Sequence, residues 1–170
     1  MPFSIHQASV PVFIQFLEGL SKVLDKAAAH AQARKVEPGV FCQLRLAPDM
    51  LPFSRQISLA CDFAKLATAR LAAVEAPRYA DDERDFDELK ARVARTLDFI
   101  RSVPQAAVEA GAERTVTMKM PAGEQSFAGP VYLMHMALPN FFFHVTTAYA
   151  ILRGNGVELS KFDFIGALPS

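Results

Sequence analysis

Asn140, His144 and Thr147 are the residues whose types and spacing best suit chemistry, and they lie on one nearly apolar stretch running from Tyr132 to Arg153. Asn140 and His144 are four residues apart and so stack on one face of a helix, with Thr147 continuing that face. Pro139 stands just before them, where it removes a backbone donor and crowds the carbonyl of His135. A helix that is apolar on every side is normally buried, and polar side chains on it need partners inside the protein. Gln56, in a second helical segment, shares a face with Leu59, Ala60, Phe63 and Ala67, and is expected to point inward toward this group.

Three kinds of chemistry fit such a set. An imidazole is a good ligand for a divalent ion, and a catalytic ion needs about three protein ligands plus an open position. His144 is then the metal ligand, with Asn140 and Gln56 as auxiliary ligands or holders of water, although an amide oxygen is a poor ligand for zinc. Alternatively His144 and Asn140 form a buried polar pair, hydrogen-bonded across to Gln56, to a backbone carbonyl loosened by Pro139, or to water. The third reading is a metal-free pocket beside the Pro139 kink that takes a small molecule. His135 lies half a turn out of phase with His144, and His30 reads as a surface histidine in a last helical turn. Cys42 and Cys61 form no CxxC pair and have no neighbouring histidine, which reads as two buried free thiols. No Gly-rich phosphate loop, GxSxG elbow or HExxH is present.

The elements that must position these residues follow from periodicity. A first helix covers about Ser4 to Gln32, or begins at Ser9 as cap with Pro11 in its first turn and residues 3 to 8 as a short preceding turn. Residues 33 to 51 form a connection with a helical turn near Val40 to Leu44. A second helix runs from about Pro52 to Val74, with its outer face at Arg55, Ser58, Asp62 and Lys65. Asp85 caps a third helix, with Glu88 three residues on, and the helix continues to about Val103 before Pro104. Thr115 to Met120 alternates in twos, Pro121-Ala122-Gly123 turns, and Gln125 to Phe127 returns as a hairpin. The fourth helix spans about Gly129 to Arg153 and stops at Asn155-Gly156. The tail from Leu159 to Ser170 carries Phe162, Phe164 and Ile165, which are expected to fold back, with Asp163 paired to Arg153 or Arg70. These elements predict an all-α four-helix bundle with a small β-hairpin before the last helix, as a single domain over residues 1–170.

Composition limits the partners. Of the 170 residues 51% are apolar and 21% charged, a globular balance. Eighteen basic and eighteen acidic residues cancel, which argues against nucleic acid. Lys90, Arg92, Arg95 and Arg101 are interleaved with Asp87, Glu88 and Asp98 and read as a solvated helix face. The apolar runs contain too many polar residues for a membrane span, and no signal peptide is evident, so the expected setting is the cytoplasm.

The stretch from Leu138 to Arg153, followed by Asn155-Gly156-Val157 and Lys161-Phe162-Asp163-Phe164-Ile165-Gly166, resembles an uncharacterised, domain-of-unknown-function branch of the DinB/YfiT-like superfamily. Gln56 to Lys65 and Gln7 to Phe13 resemble the same branch, so the likeness covers nearly the whole chain. It implies a DinB-like four-helix bundle that is often a homodimer. Many members of the superfamily hold a metal on three histidines, one from the second helix and two spaced HxxxH on the fourth, and some are metal-dependent thiol transferases or hydrolases. Here Asn140 stands where the first histidine of HxxxH is expected, only His144 matches, and the second helix has Gln56, Cys61 and Asp62 but no histidine. The resulting expectation is a small-molecule-binding or structural homodimer with a degenerate inter-helix pocket at Gln56, Asn140, His144 and Thr147 and no cofactor. The alternative is a metal-dependent enzyme of the thiol-transferase or hydrolase type, with zinc, nickel or manganese on His144.

Overall fold

Apolar residues at spacings of three and four dominate the chain, and the computed structural model, which describes residues 4–121 and 123–168, is mostly helical with one small antiparallel hairpin. Helix α1 spans Val10–Arg34, α2 Pro38–Gln43, α3 Phe53–Ala72, α4 Phe86–Ser102 and α5 Gln105–Glu109. Strands β1, Thr115–Met120, and β2, Gly123–Ala128, pair from Thr115 opposite Ala128 to Met120 opposite Gly123. The chain then re-enters helix as α6, Gly129–Tyr132, passes through a wide turn at Leu133–Ala137, and continues as α7, Leu138–Gly154. A short α8 covers Lys161–Ile165. Residue 3 of the expected N-terminal turn, Ala122 of the hairpin turn, and residues 169–170 of the tail lie outside the described residues.

The long helices pack α1 against α4, α4 against α3, and α3 against α7, with further contacts from α1 to α3 and α7. Their inner faces supply Phe13, Leu17 and Leu24 from α1, Ile57 and Leu71 from α3, Leu89, Val93 and Ile100 from α4, and Phe141, Ile151 and Leu152 from α7. Buried Ala60, Ala64 and Ala67 make the inner side of α3 small, which lets a neighbouring helix close in. The phenylalanines mesh edge to face: Phe13 against Phe141 with centroids 4.9 Å apart, and Phe16 against Phe142 at 4.8 Å.

Helix boundaries follow local chemistry with some departures from expectation. Asp85 caps α4 by accepting from the Glu88 amide at 2.8 Å. Ser9 occupies the cap position of α1, yet its hydroxyl donates backward to the Ile5 carbonyl at 2.6 Å and caps nothing. The π-type turn at Leu133–Ala137 ends two residues before Pro139, a residue with no N–H to give the turn below it. A wider turn there moves the hydrogen-bond register past the proline without breaking the helix. The short α5 was unforeseen, because five residues carry too little periodicity to read.

The tail returns as expected in part. Phe164 packs edge-on against Phe16 and Tyr149, with centroids 5.3 and 5.8 Å apart, whereas Phe162 remains exposed. Asp163 pairs with Lys26 at 2.7 Å, which corrects the expected pairing with Arg153 or Arg70. It also completes a capping box with Ser160, and that fixes its side chain toward α1. Gly129 joins the hairpin to the last helix at a site only glycine fits: a Cβ there would lie 1.9 Å from the Gly111 carbonyl oxygen.

Candidate functional site

Gln56 and His144 meet across the interface between α3 and α7. Gln56 lies in the first turn of α3 and is 1% exposed; His144 is 8% exposed. The Gln56 amide nitrogen donates to the Leu51 carbonyl at 3.0 Å, which turns its oxygen, Oε1, toward His144. That oxygen lies 2.8 Å from His144 Nδ1. An amide oxygen only accepts, so Nδ1 carries the proton and Nε2 keeps a lone pair. The ring is held between Phe63, stacked at 5.6 Å and 18°, and Phe143, edge-on at 5.2 Å. Burial pushes the His144 pKa below its ordinary 6.5, so the imidazole is neutral at physiological pH. Among the described residues Nε2 has no hydrogen-bond partner, and it is the one strong Lewis base at this interface.

Asn140 and Thr147, placed with His144 by spacing, lie on the same helix but turn their polar atoms elsewhere. The Asn140 side chain donates to the Met136 carbonyl at 2.7 Å, and the Thr147 hydroxyl to the Phe143 carbonyl at 2.7 Å. Both bonds run one turn back along their own helix, a local satisfaction open to short polar side chains. The structure therefore brings Gln56 and His144 into direct contact and leaves Asn140 and Thr147 as neighbours of that pair. His135 is exposed.

The donor set does not make a three-ligand metal centre. His144 contributes one nitrogen, and the Gln56 oxygen is already committed to Nδ1. Among the described residues no three His, Cys, Asp or Glu side chains come close enough together to hold an ion. Cys42 and Cys61 are buried free thiols; burial pushes them up to about 11 and about 12, well away from nucleophilic thiolates.

Sequence reasoning missed a second polar centre, built around Arg92. This residue is 0% exposed, which corrects its assignment to a solvated helix face. Its guanidinium reaches Glu83 at 2.8 Å, Asp62 at 3.0 Å, Asp81 at 3.2 Å and the Ala80 carbonyl at 2.8 Å. Lys65 also pairs with Asp62, at 2.8 Å, and lies over the ring of Tyr79 together with Arg92 and Arg95. Desolvation opposes the charge on Arg92, and Glu83 and Asp62 more than offset it, so its pKa is raised. With its carboxylates already paired, the cluster ties the connection between α3 and α4 down onto both helices. The legible signal was spacing: Arg92 stands three residues after Leu89 and four before Thr96, on the buried face of α4.

Comparison with known proteins agrees with this architecture. The model for the domain of unknown function DUF1993 matches residues 5–165. A DinB family member protein from Shewanella denitrificans, solved by crystallography, superposes with a TM-score of 0.88 at 36% identity, covering 97% of this chain and 93% of that one. No curated protein matches the chain. Among the described residues no helix is long and apolar enough to cross a membrane. The chain thus belongs to the DUF1993 family of domains of unknown function and has a DinB-like fold.

Proposed function

We propose that this protein is a single-domain, DinB-like four-helix bundle that works in the cytoplasm as a homodimer, in a small-molecule-binding or structural role, through a degenerate inter-helix site at His144 and Gln56. In this reading α1, α3, α4 and the run from Gly129 to Gly154 are the four rods, and α2, α5 and α8 are short additions to the connections. The single observation that carries the reading is the 2.8 Å contact between Gln56 Oε1 and His144 Nδ1. It saturates one side of the imidazole with a neutral amide and leaves Nε2 to accept a hydrogen bond from a bound molecule. Asn140 and Thr147 border the pocket in this proposal.

The alternative, a metal-dependent thiol transferase or hydrolase, rests on that same Nε2, which would be the sole strong ligand for zinc, nickel or manganese. Elemental analysis of untagged protein separates the two. Protein free of stoichiometric metal, with a thermal shift by low-molecular-weight thiols or other small molecules that vanishes in His144→Ala, is the expected outcome. One equivalent of metal that is lost in His144→Ala would overturn the binding reading in favour of the enzyme. Light scattering coupled to size exclusion tests the homodimer.

A further inference from the structure

Away from that interface, α1 carries Lys26, His30 and Arg34 at four-residue intervals, on one face. They border a cleft of about 580 Å3 whose opposite wall is the loop after α7, Gly156 to Glu158. Gly156 has a φ of 89°, in the left-handed region that favours glycine, and it leaves the wall without a side chain. The point where a Cβ would stand lies 3.8 Å from an Arg34 terminal nitrogen, Nη2, and 3.9 Å from His30 Nε2. A guanidinium donor and an imidazole nitrogen that donates in its Nε2–H form thus converge from separate turns on one empty volume, within reach of a single oxyanion. Among the described residues no carboxylate pairs with Arg34. His30 is set by an edge-on contact with Phe41, centroids 5.9 Å apart. Lys26, at the far end, is held by Asp163.

The geometry points to a binding site for a small molecule bearing a phosphate or carboxylate group, which His30 and Arg34 hold against the Gly156 backbone. Arginine's fork suits either oxyanion. The cleft is larger than a bare anion, and Ala29 and Ala33 offer an apolar floor for an organic body. Glu158 closes one side with negative charge, so the cleft suits a molecule with one anionic head and disfavours a polyanion such as nucleic acid.

The test is a two-dimensional NMR titration of the full chain with inorganic phosphate, and separately with acetate, at constant ionic strength. Saturable shifts centred on Gly156 and Val157 are expected, with roughly tenfold or greater weakening in Arg34→Gln and in His30→Gln, the loss of one charge-assisted hydrogen bond. Both side chains lie at the cleft surface, so the variants should keep native spectra elsewhere. Tighter saturation by phosphate assigns the head group as a phosphate ester, and tighter saturation by acetate as a carboxylate. Shifts that fail to saturate with both anions, or that are unchanged in both variants, overturn the proposal.

Discussion

Gln56 fixes the tautomer of His144. The amide of Gln56 is pinned by the Leu51 carbonyl, its oxygen therefore faces Nδ1, and the proton of the neutral ring must sit there. A residue on α3 so determines which nitrogen on α7 is available, although 88 positions separate the two in sequence.

This relationship predicts a coupled pair in stability. Gln56→Leu leaves a buried Nδ1–H without an acceptor and should cost about 1–3 kcal/mol in urea unfolding. His144→Phe should cost a comparable amount by stranding the Gln56 oxygen. The double variant removes both polar partners together, and its loss should fall short of the sum of the single losses. Strictly additive losses would show that the bond contributes nothing.

The buried imidazole also predicts a pH dependence. Its native pKa lies below the ordinary 6.5, so the unfolded chain binds more protons than the native one in the interval between the two values. The stability that the neutral ring contributes is present in full above the unfolded value and is lost as pH falls toward the native one. Unfolding free energies of the wild type and His144→Phe, compared from about pH 7 down to about pH 5, should converge as the pH drops. Carboxylates common to both proteins cancel in that difference. A pH-independent gap would contradict the assignment.

Arg92→Met should destabilise by about 3–5 kcal/mol, because it strands the buried Glu83 carboxylate along with Asp62 and Asp81. Arg92→Lys should not restore the loss, since an ammonium cannot reproduce the fork that spans three carboxylates and a carbonyl. Limited proteolysis should find the connection between α3 and α4 cut faster in both variants. Wild-type stability in Arg92→Lys would show that charge alone suffices.

The thiols predict inertness. With Cys42 pushed up to about 11, by burial and then by Asp85 and Glu88, and Cys61 to about 12 by burial, neither is a thiolate in native protein near pH 8. An aromatic disulfide reagent should label both only after unfolding by denaturant. Labelling of Cys61, whose surroundings include Arg92, should quicken in Arg92→Met. Rapid labelling of the native wild type would refute the burial argument.

Much of the architecture could be read from the chain because it is local. Asp85 with Glu88, Pro11 in a first turn, and the two-residue alternation from Thr115 each act within one turn of backbone. The misses share another cause. Ser9 as cap is one of the two starts the sequence allows for α1; the helix does begin after it, but its hydroxyl donates backward instead of accepting forward, and sequence does not choose between the two. Asn140 and Thr147 stand on the predicted face, and each donates to a carbonyl one turn back rather than across the interface, a choice that spacing does not specify. Arg92 was assigned to solvent on the basis of charge, although its spacing placed it among buried residues.

By itself the sequence determined where the long helices and the hairpin form, and that Gln56 and His144 lie on inward faces, because periodicity and residue type act over a turn or two; it did not show that the last helix would leave Met134 and Phe143 exposed. Only the tertiary structure decided which groups meet. Gln56 reaches His144, Arg92 gathers three carboxylates, and Lys26 takes Asp163, each because packing of separate helices brought distant positions within hydrogen-bond range. A hydrogen bond needs its partners about 3 Å apart, and no pattern along one chain specifies that distance across a helix interface.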